Sequence, residues 1–381
     1  MASFCEVRRL DTHDMKQSLV PFIALVICIA VVGSVRSVRA QTAPSSQTRI
    51  ADRDFWTMLQ QFSEPGGSFV SDNIISNEIA FQQVIPEVAR NPERGAYIGV
   101  GPEQNFTYIA AFRPAVAFII DFQRQNLLLH LMYKALIESS ADRVEFMSLL
   151  FARPRPAMVD RDPSARLLFE RFMAIPVSQP LAETTIELIL TRLRRTHGFP
   201  LSGEDEHGIR TAYRSLYEGG PGIRGDFGGG SWIPSYLQLM TQTDLAGRDH
   251  AYLASDGAFV TLKRYETNNL IVPVVGDFGG TQAFRSVAHY LVEHGLTIST
   301  LYTSNVEDYL FRGNGWHAFY NNVAALPHTR NSAIIRTFFT RTDEGLRTLL
   351  DSIDGTLTAV REGQVRSYKD IVSRSRAATN P

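Results

Sequence analysis

The sequence predicts an α/β protein with a Rossmann-like, mostly parallel sheet flanked by helices and interrupted by a helical insertion. Three observations carry this expectation. Short apolar runs rich in β-branched residues alternate with stretches of helical period before residue 152 and again after residue 250. The runs end in glycine or a polar residue, as strands do where the chain turns into a helix. Residues 152–250 break the alternation with helical patterns alone. The chain has 381 residues, 44% of them apolar and 20% charged, with a formal net charge of −1. That balance belongs to a globular protein and lacks the basic stripe that nucleic acid requires.

The elements follow in order. Residues Ser18 to Gly33 form an apolar run preceded by Lys16 and followed by Val38-Arg39-Ala40, the layout of a secretory signal cleaved near Ala40. Met15 is a natural start for such a peptide. The expected product is exported, periplasmic or secreted, without stable membrane insertion; an uncleaved N-terminal anchor is the alternative. Cys5 and Cys28 both fall in this removable segment, so the mature chain has no thiol for a disulfide, a zinc site or a nucleophile. Residues 41–54 form a polar linker. Residues 55–345 form the α/β domain, with its insertion at 152–250, and residues 346–381 a helical tail.

Within the domain, Phe55, Met58, Leu59 and Phe62 have helical spacing. Asn77 can cap a helix running to Ala89. Ala96 to Gly101 is a first strand, Asn105 to Phe112 a short helix, and Val116 to Ile120 a buried strand ending in Asp121. Leu127 to Phe151 is a long helix. The insertion has helical stretches at 163–174, 181–196 and 204–217. Ser255 then caps a helix to Asn268, Leu270 to Asp277 is a strand, and Thr281 to His294 an amphipathic helix. Leu296 to Tyr302 and Ala333 to Thr340 are the last strands.

Open α/β sheets bind ligands beyond the carboxyl ends of their strands. The polar residues at those ends are therefore the candidate site. Gly99 and Gly101 follow the first strand, where glycine permits a tight turn and close backbone approach; Gln104 and Asn105 add hydrogen-bonding side chains. Asp121, 20 residues past Gly101, stands where a carboxylate can accept two hydrogen bonds from a ribose diol. Asp277 ends a later strand among glycines. Asn305, Glu307 and Tyr309 cluster on one turn after the next strand, where they suit substrate contacts. Each of these residues could instead serve as a cap or a turn residue. His289 and His294 lie five apart, off the four-residue metal spacing, and no metal site is expected.

Gly-x-Gly after the first strand, an acid ending the second, and Gly-Asp-Phe after a later one resemble class I S-adenosylmethionine-dependent methyltransferases. The strings GVGPEQNFTYIAAFRP, NLLLHLMYKAL, NLIVPVVGDFGG and TSNVEDYLF resemble a largely uncharacterised bacterial family of that fold, over roughly residues 55 to 340. The resemblance implies S-adenosylmethionine as cofactor, with Gly99 and Gly101 at its methionine end and Asp121 on its ribose. It also implies that Asp277 belongs to the motif that follows the fourth strand. Gln104 and Asn105 depart from the usual further glycine. Two functions are expected on this basis. One is a methyltransferase in which Asp277 or Glu307 takes up the acceptor's proton. The other is an exported, non-catalytic protein that binds a small molecule on the same fold, because S-adenosylmethionine is a cytosolic cofactor.

Overall fold

The sheet is seven-stranded, in the order β3-β2-β1-β4-β5-β6-β7. Its strands are β1 (Ala96–Gly99), β2 (Ala117–Asp121), β3 (Ile271–Val275), β4 (Ile298–Ser304), β5 (His328–Phe339), β6 (Leu346–Ser352) and β7 (Arg376–Ala377). The structure is a computed structural model that describes residues 49–377, apart from 70, 72, 92, 158–160, 226–232 and 340–345. The predicted signal at 1–40 lies outside the described residues, as does most of the predicted linker.

β1 to β5 are mutually parallel, and β6 and β7 are antiparallel. The Rossmann-like expectation therefore holds. Every residue of β1, β2 and β3 is buried, as strands covered on both faces must be. Pro273 pairs opposite Ile119 within β3, which is tolerated because β3 is the sheet edge and needs no donor on its outer side. The strand order turns back on itself between β1 and β4, where a crevice opens beyond their carboxyl ends.

The helices before the insertion are α1 (Asp52–Phe62), α2 (Ile85–Val88), α3 (Gln104–Phe112), α4 (Arg124–Ser139) and α5 (Arg143–Leu150). The insertion contributes α6 (Ala165–Met173), α7 (Gln179–Thr191), α8 (Gly203–Gly219) and α9 (Tyr236–Met240), all between β2 and β3. Then come α10 (Asp256–Thr267), α11 (Ala283–Glu293), α12 (Val306–Arg312), α13 (Trp316–Ala325), α14 (Ile353–Arg361) and α15 (Tyr368–Arg374). Helices α3, α4 and α10 pack together, and so does the chain of α1, α11, α13 and α14, which gives the sheet its two helical layers. The insertion rests on the domain through α8 against α4. Among the described residues, no helix is long and apolar enough to cross a membrane.

Four elements differ from the sequence reading. The helix expected from Asn77 to Ala89 forms only as a 3-10 turn at Phe81–Val84 and the short α2. Ser76 and Glu78 instead turn inward to hydrogen-bond Gln104, Ser304 and Thr337, so tertiary polar contacts override the local pattern. The long helix at 127–151 is split at Ser140, because Asp142 caps α5 by accepting the Glu145 N–H at 2.8 Å. The last parallel strand starts at His328 rather than Ala333. The expected helical tail begins with β6, whose Leu349 and Leu350 are buried against β5 in register from Ala333↔Ser352 to Phe339↔Leu346.

Candidate functional site

The loops at the carboxyl ends of β1, β2, β3 and β4 converge on one cleft of about 290 Å³. Gly101, Asp121, Asp277, Asn305 and Tyr309 all wall it. Its size lies at the lower end of small-molecule sites, which span about 300–1,000 Å³.

Gly101 sits at φ +80°, a conformation that side chains rarely adopt, and a Cβ built on it would meet nothing within 4 Å. The chain there is open toward the cleft. Behind it, the loop is clamped by Asn105. The Asn105 Nδ2 shares its two hydrogens among the carbonyls of Val100 (2.9 Å), Gly101 (3.1 Å) and Pro102 (2.8 Å), and its Oδ1 accepts the Tyr97 hydroxyl at 2.8 Å. A Cβ on Gly99 would fall 2.0 Å from that Oδ1, so Gly99 is small to admit the Asn105 side chain. His130 adds a contact from its Nε2 to the Gly101 carbonyl at 3.0 Å. Burial lowers its pKa to about 4, so the ring is neutral and donates there.

Asp121 ends β2 with 5% exposure. Its Oδ1 accepts the Gln123 N–H at 2.8 Å, and the Gly101 backbone also stabilises the carboxylate. Burial nonetheless outweighs these donors and pushes its pKa up to about 6. Phe122 follows it at the cleft mouth.

Asp277 follows β3, the edge strand, and not a fourth strand as the resemblance implied. β4 lies on the other side of β1 and ends in Ser304, so the segment Thr303-Ser304-Asn305 holds the position after the fourth strand. Asp277 is exposed; its Oδ1 accepts the Gly279 N–H at 2.8 Å and its own N–H donates to Glu64 at 3.0 Å, which is a turn-holding role. Asn305 lies just before α12, after Ser304 in the left-handed region at φ 51°.

Glu307 does not reach the cleft. It is fully buried against Arg336 (Nε to Oε2, 2.5 Å) and accepts the Tyr320 hydroxyl at 2.6 Å and the Thr303 hydroxyl at 3.2 Å. As a proton acceptor for substrate it is already committed to an internal ion pair. Gln104 is also behind the wall. Its amide donates to Glu78 (3.1 Å) and the Tyr302 hydroxyl (2.9 Å), and it accepts the Ser76 hydroxyl.

Glu78 is a cleft residue that sequence reasoning missed. It lines the cleft at 1% exposure, and its carboxylate receives Ser304, Thr337 and Gln104. Desolvation raises its pKa despite those donors. The sequence places Glu78 next to a potential cap at Asn77, and nothing local marks it as a floor residue of a site built from β4. Phe69 was missed too. A phenylalanine in the glycine-rich stretch Gly66-Gly67-Ser68-Phe69 was the available signal. Among the described residues, no group of three or more His, Cys, Asp or Glu side chains is placed to share a metal ion.

Fold and cleft define a Rossmann-like α/β protein with a small-molecule-sized cavity at the switch point of its sheet. The family model described as Domain of unknown function (DUF7790) matches residues 73–161 and 183–353, well over half of the chain, and the protein belongs to that family. The matched segments contain β1 through β6 and every cleft residue named above except Phe69. No curated protein is significantly similar to the chain.

Proposed function

We propose that the cleft is a nucleoside site of the S-adenosylmethionine type, at which the protein acts as a methyltransferase-like enzyme. The observation that supports this reading most is the pairing of Gly101 and Asp121 on one wall. The positive-φ glycine, with open space where a side chain would stand, leaves room for a ligand, and the Asp121 carboxylate beside it, whose burial outweighs its two backbone donors, suits the two hydroxyls of a ribose. S-adenosylmethionine would supply an electrophilic methyl group on a sulfonium that is already a good leaving group. The chain's own task is then to bind and align: Asp121 holds the ribose, Phe122 flanks the base, and Asn305 and Tyr309 orient the acceptor.

A second reading, an exported binding protein without catalysis, is favoured by the proton acceptors. Glu307 is locked on Arg336 and Asp277 holds a turn. N-terminal sequencing of protein from its native cell should find a start near Gln41 if this export reading holds, and an intact Met15 would remove it.

Calorimetry with S-adenosylmethionine, S-adenosylhomocysteine and adenosine tests the site. Micromolar binding that Asp121→Asn abolishes is the expected result; silence from a folded sample with all three ligands overturns the proposal. Affinity should also fall about tenfold between pH 7 and pH 5, since a carboxyl that titrates near 6 is mostly protonated at the lower value and loses acceptor capacity. The stability effect has the opposite sense. The folded-state pKa of Asp121 is raised, so its favourable contribution is present below the unfolded value near 4 and is lost as pH rises through 6. Asp121→Asn should therefore be more stable than the native protein at pH 8, by up to about 3 kcal/mol, with the difference vanishing near pH 4. A variant that loses binding while gaining stability cannot be dismissed as misfolded.

A further inference from the structure

We infer that the mouth of the cleft receives an organic cation, an amine or ammonium carried on an apolar or aromatic body, and excludes phosphorylated ligands. From the proposed function this takes only the premise that the cleft binds a small molecule.

Charge is the first observation. Among the described residues, the wall carries three carboxyl groups, Glu78, Asp121 and Asp277, and no lysine, arginine or histidine. Glu78 lies at the floor and already receives Ser304, Thr337 and Gln104, so Asp121 and Asp277 set the charge: a phosphate would meet like charge with no cation on the wall to offset it, whereas an ammonium would find two carboxylate acceptors. The second observation is the rim. Four large aromatic side chains among the described residues are exposed by more than a third, and three of them stand together here: Phe69 (38%), Phe122 (40%) and Tyr309 (42%). Phe69 and Tyr309 meet edge-to-face, with centroids 5.1 Å apart. Aromatic side chains left in water at a cavity mouth mark a contact surface, and ring faces beside carboxylates are the recognised means of holding an organic cation. Arg312 lies 5.6 Å from the Tyr309 ring centroid and pairs with Asp308, but it stands outside the cleft wall.

The test is a calorimetric series on the full chain with 2-phenylethylamine, its uncharged isostere 2-phenylethanol, and phenylacetate. The amine should bind about tenfold more tightly than the alcohol, a preference worth about 1.4 kcal/mol, and phenylacetate should bind more weakly than either. In Tyr309→Leu and Phe69→Leu, both at exposed positions, the ratio of amine to alcohol affinity should fall toward one. Equal affinity for amine and alcohol, or a preference for phenylacetate, overturns the inference. Adenosine titrated into the same samples separates the two proposals. Adenosine binding without an amine preference leaves the nucleoside reading standing and removes the cation. An amine preference without adenosine binding does the reverse, and a folded protein that binds none of the four removes both.

Discussion

Replacing Arg336 with leucine should lower the stability of the protein by about 3–5 kcal/mol, because it leaves a fully buried carboxylate without its cation. Arg336 stands on β5 with no exposure. Its guanidinium contacts Glu307 at 2.5 Å, the Ser375 and Thr356 hydroxyls at 3.2 Å each, and Asp351 at 3.7 Å. Glu307 would retain the Tyr320 and Thr303 hydroxyls, but neither brings a positive charge. The double variant Glu307→Leu, Arg336→Leu should recover most of the loss, since an apolar pair of similar volume carries no desolvation penalty. Denaturant unfolding of the native, single and double variants measures both quantities. A single variant within about 1 kcal/mol of the native protein would show that the pair does not fix α12, the helix that carries Tyr309 to the cleft.

Asn105→Ala should cost about 3 kcal/mol and weaken adenosine binding about tenfold, a large effect for a side chain that does not wall the cleft. One buried amide shares its two hydrogens among three successive carbonyls and anchors the Tyr97 hydroxyl. Alanine leaves the hydroxyl buried beside Gly99 without its acceptor and frees the turn on which Gly101 is displayed. Hydrogen exchange at 99–103 should speed up while that of β2 and β3 stays slow. Unchanged exchange in this loop would mean that the strand ends, and not Asn105, hold its shape.

These expectations show where legibility ended. Gly101 and Asp121 could be singled out because their signals are local: a glycine where the chain leaves a strand, and an acid at the end of the next. Their meeting in one cleft follows from the parallel order of β1 and β2. Glu307 looked equally suitable, one turn after β4, yet it points into the core. Its partner Arg336 is 29 residues away on a strand whose neighbours the sequence does not state. For Asp277 the residues alone put it after the third strand, as the structure does, and only the resemblance placed it in a fourth-strand motif, a position that Thr303-Ser304-Asn305 holds.

The sequence by itself determined the α/β class, the parallel alternation, the helical insertion and the strand-end positions at which a site had to lie. All of these follow from hydrophobic period, capping residues and glycines, which act over a few neighbouring positions. Only the tertiary structure decided that β6 is a strand, that Glu78 and Phe69 belong to the cleft, and that Glu307 does not. Strand partnership, desolvation and the pairing of buried charge depend on residues far apart in the chain, and the chain brings them together only when it folds.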